Sequence, residues 1–153
     1  MQLNFIANQS VPSPTGRTLP VIDPSDGQVF DEIQRSDARD IDAAVQAARA
    51  AYEGAWGNLS AAERGRLLMA LAEKVAAHAD ELALLEQRDC GKPTKQARAD
   101  ATALVRYFEF YAGACDKLHG ETIPYQNGYS VWTWREPHGV TGHVIPWNYP
   151  MQI

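Results

Sequence analysis

The sequence predicts an α/β chain in which short strands precede and follow a cluster of helices. Residues 3–35 alternate short apolar runs with turns that contain proline and glycine. Residues 37–118 carry apolar side chains at helical spacing. Residues 121–145 return to an alternating pattern and contain Asn127-Gly128, a strong signal for a two-residue hairpin turn.

The first 35 residues are predicted to form strands joined by turns. Residues 3–7 and 30–33 have the composition of strands. Between them lies the run Asp23-Pro24-Ser25-Asp26-Gly27, in which Pro24 presets φ and Gly27 tolerates positive φ. We therefore expect a turn at 23–27.

Two helices are predicted next. Residues 37–53 are amphipathic, Asp37 or Ser36 can cap their start, and Gly54 ends them. Ser60-Ala61-Ala62-Glu63 has the form of a capping box. The helix that follows it is expected to bury five apolar side chains, those of Leu67, Leu68, Leu71, Ala72 and Val75.

Two further helices meet at a sharp turn. One begins near Asp80 and stops at Cys90-Gly91-Lys92-Pro93, where glycine suits the left-handed cap and proline prevents continuation. Lys92 is expected to be a solvated surface charge. The last and longest helix covers 95–118. Apolar side chains cover more than half of its circumference, which predicts burial on two sides.

A hairpin is predicted from 121–125 and 129–135. Trp132 and Trp134 fall on one face, and Tyr129, Val131 and Thr133 fall on the other. A two-stranded ribbon with large apolar groups on both faces is not stable alone in water. The pattern therefore predicts that this ribbon contacts another surface.

The chain continues as a predicted buried strand over 140–145 and then a stiff turn. Pro146 and Pro150 fix φ on either side of Trp147-Asn148-Tyr149. An amide on so rigid a turn can donate a hydrogen bond to a developing oxyanion without reorganising. The alternative is structural, with Trp147 in the core and Asn148 bonded to backbone groups.

Composition and charge exclude several classes of function. The 153 residues have a net charge of −5 and no basic run, which argues against a nucleic-acid partner. No apolar run is long enough to cross a membrane, and no signal peptide is visible. The two cysteines, without an export signal, predict free thiols in the cytoplasm.

Two motifs carry a resemblance to a known family. Glu136-Pro137-x-Gly139-Val140 followed by Ile145-Pro146-Trp147-Asn148-Tyr149-Pro150 resembles the first nucleotide-domain strand of the aldehyde dehydrogenase superfamily. Asp89-Cys90-Gly91-Lys92-Pro93 is similar to another turn of that family. The match implies an α/β fold that is the N-terminal portion of an aldehyde dehydrogenase, with a Rossmann-like nucleotide domain. The ending of the chain looks most like members that act on betaine or amino aldehydes.

The resemblance implies three parts and several site residues. Residues 1–118 would belong to the cofactor-binding domain, 119–135 to a hairpin oligomerisation arm, and 136–153 to the first strand and turn of the nucleotide-binding sheet. The hairpin 121–135 would build a homo-oligomer, either a dimer or a tetramer. Asn148 would be the catalytic oxyanion donor for an aldehyde substrate. NAD or NADP would contact Ile145, Pro146, Trp147 and Asn148, and a structural K⁺ or Na⁺ would be held by Val21, Ile22 and Asp89.

The family's nucleophile and general base are not found in the chain. Neither Cys90 nor Cys115 lies in a motif like that of the family's nucleophile, and the expected glutamate base is absent. We therefore expect the 153 residues alone to be inactive. The alternative is a non-catalytic truncated paralogue that binds full-length aldehyde dehydrogenase subunits, and a third hypothesis is a small helical domain without a ligand.

Overall fold

The structure, a computed structural model, describes residues 1–153 and contains three two-stranded antiparallel sheets and four helices. Helix α4 lies between α2 and α3 and contacts both. None of the helices is both long enough and apolar enough to cross a bilayer. In chain order the elements are β1 (Asn4–Ile6), β2 (Gln9–Val11), β3 (Thr18–Ile22), β4 (Val29–Gln34), α1 (Ala38–Glu53), α2 (Ala61–Ala77), α3 (Ala79–Cys90), α4 (Thr94–Ala114), β5 (Thr122–Ile123) and β6 (Val131–Trp132).

The first two sheets are hairpins. Strands β3 and β4 pair from Thr18 opposite Gln34, and the predicted turn at 23–27 joins them. In that turn the Gly27 amide donates to the Asp23 carbonyl at 2.8 Å, and Gly27 has φ +73°. The strands expected at 3–7 and 30–33 are present as β1 and β4, whereas β2 was not predicted.

The helix starts follow the predicted caps. The Ser60 amide donates to Glu63 Oε2 at 2.8 Å, and the Glu63 amide donates to Ser60 Oγ at 3.3 Å, so the predicted capping box is confirmed. Helix α1 begins with a second box, in which the Asp37 amide donates to Asp40 Oδ2 at 2.9 Å. The sequence analysis identified Asp37 as a cap but missed the return contact from Asp40.

Small residues allow the helices to approach closely. A Cβ at Gly65 of α2 would lie 2.7 Å from the Ala112 carbonyl of α4, so only glycine fits at this crossing. Between α3 and α4, Ala83, Ala97 and Ala101 form a buried cluster. Helix α4 ends at Ala114, four residues before the predicted end at 118.

The buried core is smaller than predicted. Only ten of the 153 residues are buried, and the buried hydrophobic residues are all alanines. Leu67 is 51% exposed and Leu71 is 42% exposed, so the prediction that α2 buries them is wrong. The contact stripe of α2 is made by Gly65 and Ala72, which places these leucines outside it. Because no large side chain is fully buried, the small helical domain is the least favoured hypothesis.

The C-terminal strands are shorter than predicted or missing. Strands β5 and β6 pair only at Thr122–Trp132 and Ile123–Val131, not over 121–125 and 129–135. The strand predicted at 140–145 is not formed, and Val144 is fully exposed. No other segment donates or accepts backbone hydrogen bonds along it, and a strand without a paired neighbour is not stable.

Candidate functional site

The turn after Pro146 is fixed to the junction of α3 and α4. The Cys90 thiol donates a hydrogen bond to the Trp147 carbonyl at 3.0 Å. The ammonium of Lys92 lies 4.3 Å from the centroid of the Tyr149 ring. Met151 then packs against the alanine cluster between the two helices. The residues on both sides of Asn148 are therefore held by contacts with the helical part of the chain.

The side chain of Asn148 has no partner within the chain. It is exposed and makes no hydrogen bond within the chain. Trp147 is 78% exposed, and Ile145 and Pro146 are also exposed. The structural alternative, with Trp147 in the core and Asn148 bonded to backbone groups, is wrong. The arrangement offers one amide donor beside a flat apolar surface.

Lys92 is the centre of a buried ionic cluster. Its Nζ lies 2.7 Å from Glu86 Oε1 on α3 and 2.6 Å from Asp100 Oδ2 on α4. The side chains are 10%, 2% and 3% exposed respectively, so the prediction of a solvated lysine is wrong. The burial itself lowers the pKa of Lys92, but hydrogen bonds to Asp100 and Glu86 outweigh it and leave that pKa raised. Lys92 therefore stays protonated and joins the two helices.

In this cluster one ammonium contacts two carboxyl groups. Gln96 Nε2 donates to Asp100 Oδ1 at 2.8 Å, which satisfies that carboxylate. Glu86 Oε2 is buried and has no hydrogen-bond partner. The sequence analysis missed this cluster. The sequence did contain a signal for it, because Asp100 lies in the apolar stripe of α4 between Ala97 and Ala101. A buried acid at such a position needs a cation as partner.

The residues expected to hold a cation are only partly brought together. A groove of about 740 Å³ lies between the β3–β4 hairpin and α3, and both Val21 and Asp89 line it. Ile22 does not line this groove. Backbone carbonyls and a carboxylate are oxygen donors, which suit a hard cation. Arg88 brings positive charge to the same region, with its Nε 3.9 Å from Asp23 Oδ2.

The two cysteines are free and lack the surroundings of an activated nucleophile. Burial, followed by the charges of Asp89 and Glu86, raises the pKa of the Cys90 thiol. Cys115 donates its thiol hydrogen to the Tyr111 carbonyl at 3.2 Å. Burial has the larger effect on this pKa, and the charge of Asp89 the next largest.

Comparisons with a family profile and with individual proteins identify the same family. The profile of the aldehyde dehydrogenase family matches residues 11–153. Aldehyde dehydrogenase family 2 member B4, mitochondrial, from Arabidopsis thaliana is 47% identical over 149 residues, which are 96% of this chain and 28% of that protein. The chain therefore spans less than a third of that relative's length.

Solved structures show the same fold. A crystal structure of a Burkholderia cenocepacia protein is 63% identical, with a TM-score of 0.95 over 98% of this chain and 32% of that one. The crystal structure of PnpE in complex with nicotinamide adenine dinucleotide is 36% identical, with a TM-score of 0.92. That match covers 99% of this chain and 31% of PnpE. The predicted α/β fold, as the N-terminal portion of a longer architecture, is confirmed.

Proposed function

Because the chain belongs to the aldehyde dehydrogenase family, we propose that it forms the N-terminal segment of an NAD(P)-dependent enzyme that oxidises an aldehyde to a carboxylate. The observation that carries this proposal is the free amide of Asn148 on an anchored turn. The proposal does not require the 153 residues to be active alone, since the nucleophilic cysteine and the glutamate base are not among them.

Asn148 is the proposed oxyanion donor. Its side-chain NH₂ would donate to the aldehyde oxygen as negative charge develops there. An amide that is already positioned stabilises that charge without first breaking another hydrogen bond. The anchoring of Trp147 and Tyr149 supports this role, because it limits the freedom of the residue between them.

The cofactor wall is proposed at Ile145, Pro146 and Trp147. Their exposed apolar surface fits the planar rings of a dinucleotide, and the matching PnpE structure contains one. When bound, the cofactor would accept a hydride from the substrate. The residues of this chain would orient its rings and exclude water from one side of them. The choice between NAD and NADP stays a prediction.

A structural K⁺ or Na⁺ is proposed at Asp89 with the carbonyls of Val21 and Ile22. The shared groove of Val21 and Asp89 supports it. A carboxylate near the C-terminus of α3 faces the negative end of the helix dipole, which a bound cation would offset. A rise in melting temperature on adding K⁺, absent in Asp89→Asn, would support the site. An equal rise in both proteins would exclude it.

The hairpin is the proposed oligomerisation arm. Trp132 and Trp134 project into solvent on a ribbon that is too short to be stable alone. A homodimer or homotetramer would cover these side chains. The free thiols Cys90 and Cys115 support the cytoplasm as the compartment. The substrate class, with betaine or amino aldehydes as the expectation, stays a prediction.

The direct test uses the whole gene product with the nucleophile and base, if it encodes them. Formation of the reduced nicotinamide is followed by its absorbance with a set of aldehydes and each dinucleotide. Aldehyde-dependent reduction with carboxylate as product supports the proposal. If cofactor and aldehyde both bind but no carboxylate forms, the proposed reaction is wrong.

A second candidate is a non-catalytic paralogue that binds full-length subunits. The exposed aromatic side chains of α4, Phe110 and Tyr111, together with the hairpin, favour a protein contact. Capture of a full-length aldehyde dehydrogenase subunit by the purified chain, without affinity for dinucleotide, would favour this candidate. Dinucleotide binding without capture would favour the catalytic one.

A further inference from the structure

Lys92, at the junction of α3 and α4, makes three contacts, one of which reaches the turn that carries Asn148. Lys92 follows the left-handed cap Gly91 and projects between Glu86 and Asp100. Its ammonium also faces the ring of Tyr149 at 4.3 Å. Because two carboxylates hold the ammonium, its position does not depend on the ring of Tyr149.

We infer that Lys92 is a positioning residue, which orients the amide of Asn148 through the ring of its neighbour Tyr149. A cation held against an aromatic face is attracted by the ring's negative quadrupole, most strongly where water is excluded. The contact ties the backbone just after Asn148 to the helical junction. This inference rests on the proposed function only for the role of Asn148, not for the contact itself.

The thiol of Cys90 holds the turn on the N-terminal side of Asn148. It donates to the carbonyl of Trp147, the residue before Asn148. The two anchors come from positions 90 and 92, which flank Gly91. A displacement of the turn away from α3 would therefore break the thiol contact and the ring contact together.

Replacement of Lys92 is a poor first test, because it would leave two buried carboxylates without a cation. Tyr149 offers a cleaner one. Tyr149→Leu removes the aromatic face and keeps an apolar side chain, so the ionic cluster stays intact. Tyr149→Phe is the matched control, since the Tyr149 hydroxyl makes no hydrogen bond within the chain.

The readout is the alkylation of Cys90 by iodoacetamide, followed by peptide mass spectrometry on the purified protein. Cys115 is the internal reference, since its partner Tyr111 lies within α4, away from the turn. We expect Tyr149→Leu to speed alkylation of Cys90 by between about twofold and thirtyfold relative to Cys115, the range that a cation–π contact supports. Tyr149→Phe is expected to match the parent protein.

Two results would overturn the inference. An unchanged ratio in Tyr149→Leu means that the ring does not hold the turn. An equal rise at both cysteines means that Tyr149 supports the whole fold rather than this turn. Neither result involves catalysis, so both are distinguishable from a failure of the proposed function.

A second arm addresses the orientation of Asn148 in the whole gene product. There, Tyr149→Leu is expected to lower kcat and leave the aldehyde KM unchanged, because the oxyanion contact strengthens only in the transition state. A raised KM with unchanged kcat would contradict positioning of the amide. If alkylation behaves as expected but the parent shows no turnover, the proposed function fails and the anchoring of the turn stands.

Discussion

The thiol of Cys90, the last residue of α3, donates a hydrogen bond to the carbonyl of Trp147 at 3.0 Å. This contact joins residues 57 positions apart. It connects the motif around Asp89 to the turn that carries Asn148, the two segments on which the family resemblance depends. The conformation of the turn is thus determined partly by the helical region that precedes it.

The buried ionic cluster predicts a large effect of one lysine on stability. Lys92→Met would leave Glu86 and Asp100 buried without their cation, which is expected to lower the free energy of unfolding by about 3–5 kcal/mol. Urea denaturation measures this. Lys95→Met, at an exposed position without an ion pair, is the control and should change stability by less than about 0.5 kcal/mol. Similar values for the two variants would show that the cluster contributes little.

The turn between α3 and α4 predicts a specific requirement for glycine. Gly91 has φ +66°, and a Cβ there would lie 2.8 Å from Pro24 Cγ. Gly16 has φ +62° with nothing within 4 Å, so Gly16→Ala measures the left-handed backbone penalty alone, about 1–2 kcal/mol. Gly91→Ala is expected to lose clearly more stability in urea. Equal losses would mean that Pro24 moves away without cost.

The raised pKa of Cys90 predicts a pH-dependent reactivity. A raised pKa means less thiolate at a given pH, so alkylation of Cys90 is slow until the pH rises. Asp89→Asn removes a negative charge that raises this pKa, so its rate–pH profile is expected to shift to lower pH. Asp42→Asn on α1 is the control and should not shift it. A shift in neither variant would mean that burial and the charges of Glu86 and Asp100, not Asp89, raise this pKa.

The exposed hairpin predicts a role in assembly. Trp134→Ser in the whole gene product is expected to shift the assembly toward smaller species, since buried tryptophans at interfaces contribute more than about 1 kcal/mol each. Light scattering after size-exclusion chromatography measures the mass. Phe5→Ser, another exposed aromatic position, is the control. If the Trp134→Ser protein had the same assembly mass as the parent at low protein concentration, the hairpin would not be the oligomerisation arm.

Local signals in the sequence predicted much of the fold. The capping box at Ser60 and Glu63, the αL cap at Gly91 and the turn at 23–27 were all identified, because each depends on residues that are neighbours in the chain. The strand at 140–145 was not correctly predicted for this structure, because pairing depends on partners that periodicity does not reveal. The predicted boundaries of the three parts of the chain, at 118 and 135, stay predictions.

The candidate site was predicted in part. Asn148 and Trp147 were identified from the proline-bracketed motif, and both are exposed. Lys92 was misjudged because a single lysine after a helix is usually solvated, and its two partners lie on different helices. Only the packing of α3 against α4 brings the three charges together.

The role of Asn148 is tested most directly by its replacement in the whole gene product. Asn148→Ala removes the amide donor, and Asn58→Ala makes the same substitution at another exposed asparagine. With an aldehyde that is turned over by the parent, we expect Asn148→Ala to lower kcat by about 10²–10³-fold and Asn58→Ala to leave it unchanged. If Asn148→Ala retained the kcat of the parent while folding normally, Asn148 would not be the oxyanion donor.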